Sequence, residues 1–242
     1  SNVKTLSTLS AIVLLSTALQ ASAQSGDEIA RPRDAEWMSY RDAYRSMLWF
    51  EKYGKPKNLI QYSLQVIPKD KAANTDNLRL HLLSKSIHVD LPLDAIGRTP
   101  LPLLKAAYDE NAEIVLNQKA GNAHFRFRIS LATRADGIYE VGDLRHACEQ
   151  ALAFQSYIEP NLMQGKKCVG IRLGFSKRDS IAMVEVKSAN QNTQSISILD
   201  NTAMWIDTAP TLRTSSFLFS QQVEKAQLIT RTSPLVMTAI IE

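Results

Sequence analysis

A chain of 242 residues, 45% apolar and 21% charged, is long enough for one large domain or two small ones with a real core. Its net charge of +4 comes from 28 basic residues scattered among 24 acidic ones, with no block of five like charges. That distribution excludes a nucleic-acid footprint.

The first 23 residues read as an export signal. Lys4 supplies the positive end, Leu9 to Leu19 forms a short apolar core, and Ala21-Ser22-Ala23 is a small-residue cleavage site before Gln24. That core is shorter than the roughly 20 residues of a membrane-spanning helix. No Cys follows the site, so no lipid anchor is expected, and no second long apolar run is present. The expectation is a soluble protein, periplasmic or secreted, cleaved after Ala23 and without a transmembrane segment. Residues 24–35 are polar, carry Pro32 and read as a flexible leader.

A first helix is predicted from Trp37, Tyr40, Tyr44, Met47 and Leu48, which recur at three- and four-residue spacing. Gly54 and Pro56 end it. Alternation follows at Leu59, Tyr62, Leu64 and Val66, then a strand region over residues 78–89 and a turn at Pro100-Leu101-Pro102-Leu103. The first unit, 36–134, closes on His124-Phe125-Arg126-Phe127-Arg128-Ile129. Here period-two alternation puts Phe125, Phe127 and Ile129 on one face and His124, Arg126 and Arg128 on the other.

The same order returns in a second unit, 135–242. Asp143 is the expected N-cap of a helix with the stripe Leu144, Ala147, Cys148, Ala151, Leu152 and Ile158, and Pro160 ends it. Val169, Ile171, Leu173 and Phe175 alternate next, and Asn190-Gln191-Asn192 marks an exposed turn. Ala209-Pro210-Thr211-Leu212 then corresponds to the Pro100 turn, and Lys225-Ala226-Gln227-Leu228-Ile229 to Asn111-Ala112-Glu113-Ile114-Val115. A strand over 235–241 closes the unit. The fold expected is α+β: two tandem homologous units, each an N-terminal helix packed on a small, mainly antiparallel sheet. Helix, the Lys-Cys-Val-Gly-Ile strand at 167–171, Pro-marked turn and closing strand together resemble an uncharacterised domain-of-unknown-function family of proteobacterial envelope proteins. The resemblance implies export and a compact mixed domain, and no activity.

Cys148 and Cys168 are the only cysteines, and one disulfide between helix and strand is the simplest reading in an oxidising compartment. Two buried free thiols are the alternative, and without C-x-x-C a catalytic redox pair is not expected. The glycine-rich phosphate motifs and the G-x-S-x-G elbow are absent, as is H-E-x-x-H. His81 and His88 differ in phase, so on one strand they would point to opposite faces. No metal or cofactor is therefore expected. Asp90, Asp94, Asp109, Asp136, Asp143, Asp200 and Asp207 read as turn and capping residues. His124, Arg126, Arg128 and Trp205 are the candidate surface for a ligand or partner, Trp37 being assigned to the helix stripe. The functional reading is a non-catalytic exported module that binds an envelope protein or glycan. An envelope hydrolase acting on glycan or peptide with an unsignatured acid pair is the alternative.

Overall fold

The computed structural model describes residues 31–219 and 225–242. The expected export signal, 1–23, lies outside the described residues.

The chain begins with β1 (Ala35–Ser39), α1 (Tyr40–Glu51) and β2 (Ile60–Pro68), followed by the hairpin β3 (Leu80–Leu83) and β4 (His88–Leu91). Next come β5 (Arg98–Thr99), α2 (Lys105–Asp109), β6 (Glu113–Lys119) and β7 (Ala123–Leu131). Then follow β8 (Ile138–Glu140), α3 (Val141–Ile158), α4 (Pro160–Met163), β9 (Cys168–Ser176), and the hairpin β10 (Val184–Lys187) and β11 (Thr193–Ile196). The chain closes with β12 (Leu199–Thr202), β13 (Leu212–Leu218), β14 (Gln227–Thr230) and β15 (Val236–Ile241).

The α+β expectation holds, and among the described residues every strand pairing is antiparallel. Two four-stranded sheets, β1-β6-β3-β4 and β8-β14-β10-β11, flank a seven-stranded sheet ordered β12-β13-β9-β15-β7-β2-β5. That long sheet runs through both halves of the chain, joined where β15 meets β7 at Met237 opposite Leu131. The halves also share a detail at the start of each long helix. Tyr40 N–H donates to Ala112 O, and Val141 N–H donates to Ala226 O, both 3.0 Å.

Three expectations need correction. The first helix begins at Tyr40, because residues 35–39 pair with β6 and Trp37 sits opposite Val115, 41% exposed. Ser39 caps the helix, accepting from Asp42 N–H at 3.4 Å. The second helix begins at Val141, so Asp143 lies inside its first turn and favours the positive helix end by charge. The Pro100 and Pro210 segments do not match: the first leads into α2 and the second into β13.

Two large cores follow from one-sided burial. In the first, Tyr40, Ala43 and Met47 of α1 pack on Leu64 and Val66 of β2, Leu80 and Leu82 of β3, and Ile114 and Leu116 of β6. The buried Tyr40 phenol is satisfied, donating to Pro102 O at 2.5 Å and accepting from Leu104 N–H at 2.8 Å. In the second, Leu144, Cys148, Ala151 and Phe154 of α3 cover Ile171, Leu173 and Phe175 of β9, and also Leu131 and Ile60 from the first half. α3 thereby braces the β7–β15 junction. Cys148 and Cys168 form the disulfide, with Cα atoms 6.0 Å apart, tying α3 to the start of β9. A disulfide fits an oxidising compartment. No helix among the described residues is long and apolar enough to cross a membrane.

Candidate functional site

The long sheet turns one face to the helices and cores and the other outward. On β7 the expected alternation is found: Phe125, Phe127 and Ile129 pack inward, while the buried Arg128 lies on the opposite face. β2 contributes Gln65 to that outer face, opposite Arg126, and its amide oxygen accepts from Arg128 Nε at 2.8 Å. On β9 the outward residue is Arg172, flanked across the ladders by Ser216 and Thr238.

Residues 203–211, between β12 and β13, fold over this face. Met204 is buried against it, and a Cβ added at Gly174 would come within 2.9 Å of its sulfur, so glycine here lets the covering segment approach closely. Trp205 stacks on Arg128, whose guanidinium carbon lies 4.5 Å from the ring centre. Asp207 hydrogen-bonds Arg128 through Oδ1. Its Oδ2 lies 3.2 Å from Arg126 Nε and 3.9 Å from His124 Nε2, held by charge without an aligned hydrogen bond.

All four residues singled out in the sequence, His124, Arg126, Arg128 and Trp205, therefore gather around Asp207. Arg128 is not a free ligand group: its side chain is 9% exposed and compensated, whereas that of Arg126 is 57% exposed. Burial pushes the Arg128 guanidinium down, and the hydrogen bond and charge of Asp207 oppose the shift. Burial alone would raise the Asp207 carboxyl. The hydrogen bond and charge of Arg128, then the charge of Arg126, outweigh it and hold the carboxyl below its ordinary value.

Beyond the Met237–Leu131 contact no further β7–β15 pairing is registered among the described residues, and a cleft of about 920 Å³ opens between the strands. Arg126, Arg128, Arg172, Thr238 and Trp205 line its outer side. Trp49, Tyr62, Phe127, Ile129, Ile158 and Leu162 line the side next to the helices, with Glu159 the acid among the lining residues. Trp49 stands 52% exposed, its ring 5.4 Å from that of Tyr157. The Tyr62 phenol is pushed up to about 12 by burial and then by the charge of Glu159, so it remains a neutral hydroxyl donor.

Arg172 escaped the sequence reading. A single Arg in the apolar run of β9 has no periodic signature, and only the β13-β9-β15 ladder shows which way it faces. Among the described residues it has no hydrogen-bond or ion-pair partner.

The expectation that His81 and His88 point to opposite faces is also corrected. They lie on two strands, not one. Leu83 pairs with His88 and His81 with Asp90, so both histidines and Asp90 share the outward face of the β3–β4 hairpin. The three donor atoms lie within 4.8 Å of one another.

Comparison with protein-family models, with curated proteins and with solved structures finds no match to this chain.

Proposed function

We propose that this protein is an exported, non-catalytic binding module of the cell envelope, whose cleft between β7 and β15 takes an anionic ligand with an apolar or ring-bearing body. The carrying observation is Arg172, which lines the cleft without a partner among the described residues while Arg126 stands exposed nearby. Two guanidinium forks at one mouth suit a phosphate or carboxylate, and Thr238 adds a hydroxyl beside Arg172. Trp49, Ile158 and Leu162 supply apolar surface for the rest of the ligand.

The alternative, an envelope hydrolase, needs one acid whose pKa is raised so that it can donate a proton. It also needs a second acid nearby, whereas Glu159 is the one acid among the residues that line this cleft, and Asp207 beside the arginines is held ionised by Arg128 and Arg126. Export is supported by the signal-like segment 1–23 together with the disulfide. Descent of the two halves from one duplicated unit is supported by the matching pairing orders of the two four-stranded sheets and by the Ala112 and Ala226 contacts. The resemblance to the envelope family of unknown function belongs to the same reading.

The test is tryptophan fluorescence during titration with dodecyl phosphate below its micellar concentration, with dodecyl maltoside as the uncharged control. Saturable binding of the phosphate alone, lost in Arg172→Glu, is expected. Equal response to both amphiphiles, or binding unchanged in Arg172→Glu, removes the anion site. Stoichiometric cross-linking of the cleft to another protein in the native envelope would replace the small ligand by a protein partner.

A further inference from the structure

Independently of the cleft, we infer that His81, His88 and Asp90 form a binding site for a borderline divalent cation of the zinc type. The site stands on the regular β3–β4 hairpin, in which Leu80 pairs with Leu91 and Leu83 with His88. His88 and Asp90 are two apart on β4 and so share a face, and His81 stands directly across from Asp90 on β3. Two imidazoles and a carboxylate are the donor set that zinc accepts, with a fourth position left for water or an outside ligand.

The ring geometry matches. With metal–nitrogen bonds of about 2.0–2.1 Å and a tetrahedral angle, the centres of two coordinated imidazoles fall about 5 Å apart. The His81 and His88 ring centres are 5.4 Å apart, edge to face at 82°. Asp90 Oδ1 is 2.7 Å from His81 Nδ1, so the carboxylate is already turned toward the ring it would flank on the ion. All three donor atoms lie within 4.8 Å, which leaves small side-chain rotations to close them on a cation.

The surroundings favour a compact site. The inward residues of the hairpin, Leu80, Leu82 and Leu91, are buried in the first core, which fixes the backbone beneath the donors. Glu113, across from Leu83 on β6, is taken up by Arg31 and does not join the donor set. His88 and Asp90 are exposed and open to an entering ion.

The experiment is calorimetric titration of the untagged, metal-free chain with ZnCl₂, paired with the visible absorption of its Co²⁺ form and with thermal melts. One ion per chain is expected, together with a rise in Tm on adding zinc, as any ligand of the native state gives. His88→Ala and Asp90→Asn, both at exposed positions that leave the core intact, should each weaken binding by more than the roughly 10–100-fold that loss of an outer-shell partner costs. Both should also abolish the Tm rise. Absence of Zn²⁺ and Co²⁺ binding overturns the site, and so does binding that both variants retain. Arg172→Glu should leave the zinc titration unchanged, which separates this result from that of the cleft.

Discussion

Asp207 hydrogen-bonds Arg128 at the middle of β7, 79 residues away in sequence, and so pins the 203–211 segment to a strand of the other half of the chain. Arg128 is nearly buried, and its remaining contacts are the Gln65 amide and the Trp205 ring. Removing the carboxylate leaves a buried guanidinium without a counter-charge.

Asp207→Asn should therefore destabilise the protein by about 1.5–3 kcal/mol, the usual worth of a hydrogen bond to a charged group. Adding Arg128→Met should regain part of that loss, because it removes the uncompensated buried charge that Asp207→Asn leaves behind. Urea titrations of the single and double variants decide this. A double variant as unstable as the sum of both singles would remove the coupling.

Acid should act through the same carboxylate. Asp207 and Asp136 are both held below the ordinary 3.8, the latter at about 2 by the Arg134 hydrogen bonds and then by the Ile138 N–H. Between about pH 4 and pH 2 the unfolded chain binds more protons than the folded one at these groups. Stability from them is complete above the ordinary carboxylate range and is lost as pH falls through the folded values. Urea midpoints measured from pH 6 to pH 2 should fall below pH 4, less steeply in Asp207→Asn. An identical slope in the variant would show that Asp207 carries no such linkage.

The disulfide closes a sequence separation of 20 residues. Reducing it, or replacing both cysteines by alanine, should cost about 3 kcal/mol on the chain-entropy model. For a chain of this size each kcal/mol moves Tm by about 2–4 °C. Melts with and without reductant test the value, and an unchanged Tm would show that Cys148 and Cys168 do not hold α3 to β9.

Phe154 contacts Phe50, Tyr53 and Tyr62 of the first half, with ring centres 5.2 Å away in each case. Its side chain is fully buried. Phe154→Ala should cost about 3–5 kcal/mol, with one cooperative transition if α3 braces both halves. Two separate melting transitions would mean that the halves unfold as independent bodies.

Where local period decides the structure, the sequence was legible. Of the predicted α3 stripe, Leu144, Ala147, Cys148 and Ala151 are buried while Leu152 and Ile158 are only partly so, and the fully buried Phe154 lay outside it; the two faces of β7 divide as alternation requires. Trp37 was misplaced because its three-residue spacing to Tyr40 continues the helical stripe, and only the pairing with β6 shows that residues 35–39 form a strand. The His81–His88 face was hidden by a turn at residues 84–87 with neither Gly nor Pro, which broke one expected strand into two. Arg172 and Asp207 acquire their place only from ladders and loops that connect distant segments. The single sheet through both halves is such a relation too, since nothing local announces that β15 will meet β7.

The covering segment also bears on how an occupant of the proposed cleft site would sit. Residues 203–211 cross from the second half onto β7, carrying Asp207 and Trp205 with them. In the first half, Asp94 stays local, accepting from Ile96 N–H at 3.0 Å and Arg98 N–H at 2.8 Å within its own turn. Arg98 crosses the other way, donating to Leu235 O at 3.0 Å, so each half reaches the other with different chemistry: a carboxylate–guanidinium pair from one side and a backbone contact from the other. An occupant of the cleft would bind once per chain and in one polarity, its charged end on the side where Arg126 and Arg172 face outward.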